Sequence, residues 1–386
     1  MGKGFDHLYP AVYELENLYH AYVRARRNKR YYHEILTFSA ALEENLIQIQ
    51  NELIYRTYRS GRHRQFYIYE PKKRLIMAPP FRDRIVHHAL CNVIEPILDQ
   101  RFIFDSYACR AGKGMHRGVD RLTHFLRSAR ERWGEVYCLK ADIAQYFPSI
   151  DHEILLKILW DRIKCEGTRW LIAEIVRSTE DPREYRHVGL PIGNLTSQLF
   201  ANVYMDQLDQ FVKHHLRAHF YIRYMDDFII LEGDKQALWH YLMEIKGFLE
   251  DRLCLHLNRK TSIFPVWQGI DFLGYRIWDD HRLLRKANVK RAKRMFKRLS
   301  KDYSEGRVSV ERVRASVMSW IGHCKHADTY HVRRRVLAGL HLQRGKNMGK
   351  KLVDNVRHDV YNKDVGGGDK EVQDETNNLH NPQNWQ

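Results

Sequence analysis

Apolar residues recur along this chain at two spacings, and each spacing predicts one kind of secondary structure. Residues 1 to about 60 are predicted to be helical because apolar side chains return every three or four residues, as at Leu42, Leu46, Ile49 and Leu53. Residues 84–98 and 196–216 carry the same kind of apolar face. These segments therefore predict amphipathic helices that pack against a core.

Short apolar runs between the helical segments predict strands. Residues 66–69 and 75–77 flank a basic turn at residues 71–74, which is the pattern of a β-hairpin. Residues 136–143 predict a further strand, and residues 220–231 predict two more. Because strands alternate with amphipathic helices, the middle of the chain predicts an α+β fold in which helices pack on a sheet.

The charge balance points to the kind of partner. The chain has 386 residues with 64 Lys and Arg against 47 Asp and Glu, so its formal net charge is +17. This excess indicates a polyanion, nucleic acid before an acidic membrane surface. No stretch approaches the roughly 18 to 20 apolar residues that span a bilayer, and the N-terminus lacks the apolar core of a signal peptide. We therefore expect a soluble, cytoplasmic protein with no membrane partner.

The C-terminal part of the chain changes character twice. A basic segment after Arg285 predicts a separate helical subdomain, and its cations include Lys290, Arg291 and Arg294. Beyond Gly345 the chain is rich in Asn, Asp and Gly and has too few apolar residues to support a core. We expect the tail at residues 346–386 to be disordered.

The sharpest local signal is the tetrapeptide Tyr224-Met225-Asp226-Asp227, which lies between two apolar runs. This pattern predicts a hairpin with adjacent carboxylates at its tip. Two neighbouring carboxylates repel each other unless a cation neutralises them, so a divalent metal explains the pair. A solvated turn is the alternative, because Asp is a common turn residue.

A second acidic position favours the metal interpretation. The predicted strand at residues 136–143 carries Asp142 near its end, although a strand-end cap is the alternative role for this residue. One carboxylate there and the hairpin pair would hold two magnesium ions roughly 3.5 to 4 Å apart, the separation that suits in-line phosphoryl transfer. Asp279-Asp280 repeats the dipeptide without a second acidic strand, and we interpret it as an ordinary turn.

These motifs resemble a known enzyme family. Tyr224-Met225-Asp226-Asp227 resembles the Y-x-D-D signature of reverse transcriptases, and the residues around Asp142 resemble their first palm motif. The resemblance implies RNA-directed DNA synthesis with Asp142, Asp226 and Asp227 as catalytic residues. It also implies that two Mg²⁺ ions are held by these carboxylates together with Ile143. Phe147 corresponds to the aromatic gate that excludes a ribose 2′-hydroxyl, with core packing as its alternative role.

Four further segments resemble reverse transcriptase motifs in the correct order. Two of them would contact nucleotide: the fingers hairpin, in which Lys72 and Arg74 would hold the triphosphate, and residues 257–261, in which Lys260 would stabilise the departing pyrophosphate or act as general acid. For the hairpin cations, a solvated basic turn is the alternative.

The other two segments would contact the template and primer. Residues 107–114 resemble an Arg- and Gly-rich motif, in which Arg110 and Lys113 would contact the backbone of the nucleic acid. Phe272, Leu273 and Gly274 resemble the primer grip, a tight hairpin that presents its backbone to the primer end.

One segment suggests a subfamily. Most reverse transcriptases carry Q-G-x-x-x-S-P where this chain has Ile192, Gly193, Ser197 and Gln198 in an I-G-x-x-x-S-Q pattern. This pattern resembles diversity-generating retroelement reverse transcriptases, bacterial and phage enzymes that misincorporate opposite template adenines. Residues 83–92 and 319–323 resemble that family too. Ile192 and Gln198 would loosen control of the nascent base pair, with Gln198 near the bound nucleotide.

The resemblance implies a right-hand polymerase with fingers, an antiparallel palm sheet and a helical thumb. We place a helical extension at residues 1–60, the fingers at 61–135, the palm at 136–280 with fingers elements interleaved, and the thumb at 281–345. In the thumb, Lys290, Arg291 and Arg294 would contact the duplex backbone, with a solvated helix face as the alternative.

The implied partners are a template RNA, the RNA/cDNA duplex, deoxynucleotides and a small, basic, oligomeric accessory protein. Two other functions stay open. One is an antiviral or group II intron type reverse transcriptase without adenine bias. The other is an RNA-binding scaffold that keeps an inactive polymerase fold.

Overall fold

The computed structural model describes residues 4–69, 73–178 and 187–343. These residues fall into two compact units that meet in sequence near residue 280. The first unit holds residues up to Leu273 together with Ile277–Asp280, and the second holds Gly274–Arg276 and the residues from His281 onward. No helix of the described ranges is both long enough and apolar enough to cross a bilayer.

The first unit begins with helices, as the apolar spacing predicts. Four helices precede the first strand: α1 (Tyr9–Tyr13), α2 (Leu15–Ala25), α3 (His33–Ala40) and α4 (Leu42–Ile54). After the hairpin come α5 (Phe81–Asp99) and α6 (Met115–Trp133). Helix α5 packs against α1, α2 and α3, so its buried apolar face joins the N-terminal helices to the rest of the core.

The predicted basic hairpin is confirmed. Strand β1 (Arg64–Ile68) pairs antiparallel with β2 (Arg74–Ala78), and Ile68 lies opposite Arg74. The residues at its tip, including Lys72, lie outside the described ranges. The pairing therefore places Arg74 at the first position of the returning strand.

The central sheet has the antiparallel arrangement that we expected for an α+β palm. Its four strands lie in the order β4-β5-β3-β6, and every neighbouring pair is antiparallel. The strands are β3 (Tyr137–Asp142), β4 (Phe220–Tyr224), β5 (Asp227–Glu232) and β6 (Ser262–Pro265). Four consecutive residues of β5 are buried, which indicates that both faces of this strand are covered.

Helices connect and cover these strands. Between β3 and β4 lie α7 (Tyr146–Ser149), α8 (His152–Arg162), α9 (Glu166–Arg177) and α10 (Leu195–Gln210), and a π-helical turn at Phe211–His215 extends α10. Helix α11 (Lys235–Leu253) follows β5 and packs on β3 and β5. It begins at Asp234, whose carboxylate accepts hydrogen bonds from two backbone N–H groups of the first turn.

Three short strands carry the chain from the first unit into the second: β7 (Ile270–Phe272), β8 (Tyr275–Ile277) and β9 (Arg282–Leu284). The second unit continues with α12 (Lys286–Ser304), α13 (Val310–Cys324) and α14 (Tyr330–Leu337). These helices bury their own small apolar core, which includes Phe296, Val317 and Val336. The helical segment predicted after Arg285 is thus confirmed.

Candidate active site

The tetrapeptide Tyr224-Met225-Asp226-Asp227 forms a tight turn between β4 and β5. Tyr224 pairs with Asp227, so only Met225 and Asp226 connect the two strands. Met225 has a φ of 59°, in the left-handed region that a two-residue hairpin turn requires at its first position. Asp226 therefore lies at the tip of the turn, and Asp227 is the first residue of β5.

Strand β3 brings the third carboxylate to the same end of the sheet. In the antiparallel register, Asp142 lies directly opposite Asp227. All six residues of β3 take part in this pairing, from Tyr137 opposite Glu232 to Asp142 opposite Asp227. The backbone pairing therefore places Asp142, Asp226 and Asp227 at the same end of the sheet.

The carboxylates of Asp226 and Asp142 are close enough to disturb each other. The pKa of Asp226 is raised to about 6, mainly by burial and then by the charge of Asp142 and a side-chain hydrogen bond with it, whereas the charge of Arg74 opposes the shift. Two carboxylates held together in a partly desolvated place favour a proton or a cation between them. Their oxygens are the hard donors that Mg²⁺ prefers, so the donor set fits a divalent metal.

Asp227 is placed differently from the other two acids. Its Oδ2 lies 3.8 Å from Nζ of Lys140, which also donates to the backbone carbonyl of Asp271. Among the described residues, no group of three or more His, Cys, Asp or Glu side chains is arranged as a metal site. The ligand set of Asp142, Ile143, Asp226 and Asp227 therefore stays a prediction, and Asp142 and Asp226 are the donors that interact directly.

Asn258 holds Asp142 in place, a role that sequence reasoning missed. Its Nδ2 donates to Asp142 Oδ2 at 3.2 Å, and its backbone N–H donates to the Asp142 carbonyl at 2.7 Å. Its Oδ1 accepts from the backbone N–H of Lys260 at 3.1 Å. The only signal in the sequence was its place in the segment that contains Lys260, which is exposed and tied to Asp142 through this bridge.

Arg74 and Phe147 lie on elements that approach the carboxylates. Arg74 is exposed, and its charge lowers the pKa of Asp226, so it acts at short enough range to stabilise an anion beside that group. Phe147 is half-buried, with its ring against Tyr146 at a centroid distance of 5.6 Å. The Phe147 carbonyl accepts from the backbone N–H of Leu190 at 2.9 Å, which joins the candidate ribose gate to the segment that determines the subfamily resemblance.

The I-G-x-x-x-S-Q segment packs against the fingers hairpin. The Ile192 carbonyl accepts from the backbone N–H of Met77 in β2 at 3.3 Å. Gly193 has a φ of 122°, and a Cβ on it would lie 3.1 Å from Cγ2 of Ile76. Ser197 is buried and Gln198 is half-buried in the first turns of α10. This segment therefore connects the contact with β2 to the start of α10.

The two cations of the 107–114 segment contact the protein itself. The guanidinium of Arg110 donates to the Asp99 carboxylate and to the carbonyls of Ile103 and Ser106 at 2.8 and 3.0 Å. Lys113 donates to the Phe104 carbonyl at 2.8 Å and lies over that aromatic ring. These contacts favour a structural role for Arg110 in particular, and contact with the nucleic-acid backbone stays a prediction for both.

The three residues of the predicted primer grip lie where the chain passes from the first unit to the second. In the first unit, Phe272 is buried and Leu273 has a φ of 48°. In the second unit, Gly274 follows with a φ of 91°, and its carbonyl accepts from the Asn288 side chain at 3.0 Å. Two successive positive φ values are those of a type I′ turn, which agrees with the tight hairpin expected for a primer grip. Three residues that we expect to contact the nucleic-acid backbone are exposed on α12: Lys290, Arg291 and Arg294.

In the dipeptide Asp279-Asp280, Asp279 is bonded to basic side chains. Arg130 Nη1 donates to Asp279 Oδ2 at 2.6 Å, and Arg127 donates to the Asp279 carbonyl at 2.7 Å. These contacts are with helix α6 rather than with other acids. The interpretation of this dipeptide as an ordinary turn agrees with these contacts.

Comparisons with known proteins add to this geometry. A family model described as reverse transcriptase (RNA-dependent DNA polymerase) matches residues 69–277, more than half of the chain. Protein YkfC of Escherichia coli is 28% identical over 287 residues, which are 64% of this chain and 74% of that protein. The group II intron-encoded protein LtrA of Lactococcus lactis subsp. cremoris is 24% identical over 325 residues, which are 66% of this chain.

The chain spans 53% of LtrA, about half the length of that relative. Among solved structures, an apo telomerase from Candida tropicalis, truncated from its C-terminal domain, aligns with a TM-score of 0.46 at 12% identity, over 62% of this chain and 60% of that one.

Proposed function

Because the chain belongs to the reverse transcriptase (RNA-dependent DNA polymerase) family, we propose that it copies an RNA template into DNA at the Asp142, Asp226 and Asp227 site. The observation that carries this proposal is the register that sets Asp142 opposite Asp227, beside a turn that presents Asp226. In the proposed reaction a primer 3′-hydroxyl attacks the α-phosphate of a deoxynucleotide, and pyrophosphate leaves.

The donor chemistry of the site fits divalent metal ions. Asp142 and Asp226, with Ile143 and Asp227 as further candidates, would hold Mg²⁺. When bound, the ions supply a Lewis acid that stabilises charge on the attacking and leaving oxygens. Burial and, after it, the charge of Asp142 raise the pKa of Asp226, which supports this role because a cation relieves the repulsion between the two carboxylates.

The residues around the carboxylates would bind and orient the nucleotide. Arg74 is exposed and acts on Asp226 through its charge, which suits a group that holds the triphosphate; Lys72 is proposed as its partner. Lys260 is exposed on the segment bonded to Asp142 and would stabilise the leaving pyrophosphate. Phe147 would exclude a ribose 2′-hydroxyl and so favour deoxynucleotides.

We further propose errors at template adenines, as in diversity-generating retroelements. The support is the I-G-x-x-x-S-Q pattern of Ile192, Gly193, Ser197 and Gln198, on a segment that contacts both β2 and Phe147. An apolar Ile192 in place of Gln removes a hydrogen-bonding side chain from this segment, which would relax control of base-pair geometry. The targeted mutagenesis of a variable gene follows from this resemblance.

A second candidate is a group II intron type enzyme without adenine bias. It is favoured by the relatives, since LtrA is described as a group II intron-encoded protein. Both candidates share the carboxylates and the polymerisation reaction. They differ only in the error spectrum, which is therefore the property that separates them.

The proposed partners follow from charge and family. A net charge of +17 suits an RNA template and an RNA/cDNA duplex. The exposed cations of α12, Lys290, Arg291 and Arg294, would bind phosphates without reading sequence. Arg110 and Lys113 are weaker candidates because their donors are bonded within the protein. Deoxynucleotides and a small, basic, oligomeric accessory protein complete the set.

Primer extension on an RNA template tests this proposal. Wild type is compared with Asp226→Asn, which removes one charge at the site, and with Asp279→Asn, which alters an equivalent dipeptide bonded to Arg130. We expect Mg²⁺-dependent extension that is lost only in Asp226→Asn, with errors concentrated opposite adenine. Accurate extension would select the group II intron type alternative. No extension, even with the cognate RNA and accessory protein, would leave an RNA-binding scaffold.

A further inference from the structure

A fully buried arginine lies directly behind the catalytic turn. Arg223, in β4, is the largest side chain that is completely buried in the described part of the chain. A guanidinium stays charged at any physiological pH, so burial is tolerated only when its donors are bonded. Burial alone would lower the pKa of Arg223, but Asp209 more than compensates and the pKa lies above its ordinary value.

One side of the guanidinium is clamped by helix α10. Arg223 Nε donates to Asp209 Oδ1 at 2.7 Å, and Nη2 donates to Asp209 Oδ2 at 2.5 Å. The Tyr221 hydroxyl donates to the same Oδ1 at 2.7 Å. Since Asp209 is itself fully buried, this bidentate pair fixes the direction of the guanidinium plane.

The other side of the guanidinium reaches the catalytic turn. Arg223 Nη1 donates to the Met225 carbonyl at 2.8 Å and to Asn202 Oδ1 at 3.2 Å. The Met225 carbonyl belongs to the peptide that leads into Asp226. Asn202 in turn donates to the Ala108 carbonyl at 2.8 Å, so the network is braced from a second segment.

We propose that Arg223, clamped by Asp209, is a positioning residue that fixes the peptide between Met225 and Asp226 and thereby the Asp226 carboxylate. The proposal rests on the proposed function, because it assigns a catalytic consequence to that position. Met225 is a non-glycine residue in the left-handed region, a conformation that is unfavourable for its side chain and needs external support. The bond from Arg223 supplies it.

A neighbouring ion pair provides a matched control. Arg162 Nη2 lies 2.6 Å from Asp206 Oδ2, and Asp206 is fully buried on the same helix α10. The bonds of Arg162 and Asp206 run to α8 and to Gln210, away from the Met225 turn. Asp206→Asn therefore weakens a buried ion pair of α10 and removes none of the hydrogen bonds that Arg223 makes.

The experiment compares Asp209→Asn, Asp206→Asn, Arg223→Lys and the double variant Arg223→Met with Asp209→Leu in the full chain. Thermal unfolding is measured for each variant. The kcat and KM for primer extension on RNA are then measured at a temperature below the unfolding transition of every variant. We expect similar losses of stability for the two Asp→Asn variants, but a fall in kcat of about 10²-fold for Asp209→Asn only. Arg223→Lys retains one of the two contacts and should lie between them.

The double variant separates positioning from stability. It removes both buried charges, which often restores or raises stability, but it leaves the Met225 carbonyl without its donor. Positioning predicts recovered unfolding temperature with kcat still low and KM for the duplex unchanged. Recovery of kcat together with stability would overturn the proposal, as would equal kcat losses in Asp209→Asn and Asp206→Asn.

A readout without turnover distinguishes this inference from the proposed function. Mn²⁺ binding, followed by electron paramagnetic resonance with Asp226→Asn as the site control, should weaken at least tenfold in Arg223→Lys and stay unchanged in Asp206→Asn. If wild type fails to extend primers, the polymerase proposal fails while this comparison still tests the positioning. Unchanged Mn²⁺ affinity in Arg223→Lys would contradict the inference even in an active enzyme.

Discussion

Replacing Asn258 by alanine tests how the first carboxylate is held. The Asn258 side chain makes two hydrogen bonds, from Nδ2 to Asp142 Oδ2 at 3.2 Å and from the Lys260 N–H to Oδ1 at 3.1 Å. Asn258→Ala removes both and leaves the backbone bond to the Asp142 carbonyl intact. The strand pairing therefore survives, and the change acts on the orientation of Asp142 and Lys260.

The expected magnitude follows from the number and kind of bonds. A hydrogen bond to a charged group contributes about 1.5 to 3 kcal/mol and a neutral one about 1 kcal/mol. Because this site is only partly buried, we expect the free energy of unfolding to fall by about 2 kcal/mol. A displacement of the Asp142 carboxylate by about 1 Å should lower kcat by roughly 10²-fold, with little change in KM for the duplex.

Primer extension and urea unfolding measure these two effects side by side. Asn45→Ala is the control, since it removes a side-chain bond to the Phe38 carbonyl at 2.9 Å in the N-terminal helices and should alter stability alone. Asn258→Asp keeps the acceptor for the Lys260 N–H but sets a second carboxylate against Asp142, so kcat should fall further than in Asn258→Ala. An unchanged kcat in Asn258→Ala, with the expected loss of stability, would refute the orienting role.

Three further predictions concern the ribose gate, the subfamily segment and a buried histidine. Phe147→Ala should increase ribonucleotide incorporation relative to deoxynucleotides by about tenfold in competition assays; unchanged discrimination would assign Phe147 to packing alone. Gly193→Ala should lower the free energy of unfolding by about 1 to 3 kcal/mol because of its φ of 122° and the nearby Ile76. Gly247→Ala, in an open helical position, should instead raise it by about 0.5 to 1 kcal/mol, and equal effects would contradict the strain at Gly193. Burial lowers the pKa of His87 from 6.5 to about 3. Below pH 6.5 the unfolded chain therefore binds a proton at this residue while the folded chain stays neutral there, and the free energy of unfolding falls. Between pH 7.5 and 5 this group should remove about 2 kcal/mol, and His87→Leu should lose that part of the acid dependence in unfolding titrations at both pH values.

The sequence predicts best the features that depend on local pattern. The hairpin β1-β2, the strand that ends at Asp142 and the turn at Asp226 were all expected, because alternation and turn residues act over a few positions. Charge alone was a poorer guide to the use of each cation. Arg110 was expected to face nucleic acid, but its donors are bonded to Asp99 and to backbone carbonyls, which no pattern in its own segment reveals.

Contacts between distant segments account for what the sequence did not predict. Asn258 reaches Asp142 across 116 positions in sequence, and Arg223 meets Asp209 only because α10 packs behind β4. An arginine two residues before a catalytic turn is, from its spacing, as consistent with an exposed edge as with full burial. Its depth follows from the layering of helix on sheet, so the strongest candidate for positioning was visible only in three dimensions.

Asn258 and Arg223 support the two carboxylates that repel each other, Asp142 and Asp226. Asn258 holds Asp142 by its side chain and backbone, while Arg223 holds the peptide before Asp226. Left alone, two half-buried carboxylates would separate or share a proton, which agrees with the pKa of Asp226, raised by burial and by the charge of Asp142. Because these hydrogen bonds hold both acids before any cation is bound, we expect binding to require little reorganisation, which is the condition under which fixed charges stabilise a transition state most. The repulsion within the carboxylate pair is thus a consequence of the same arrangement that would make it an effective cation site.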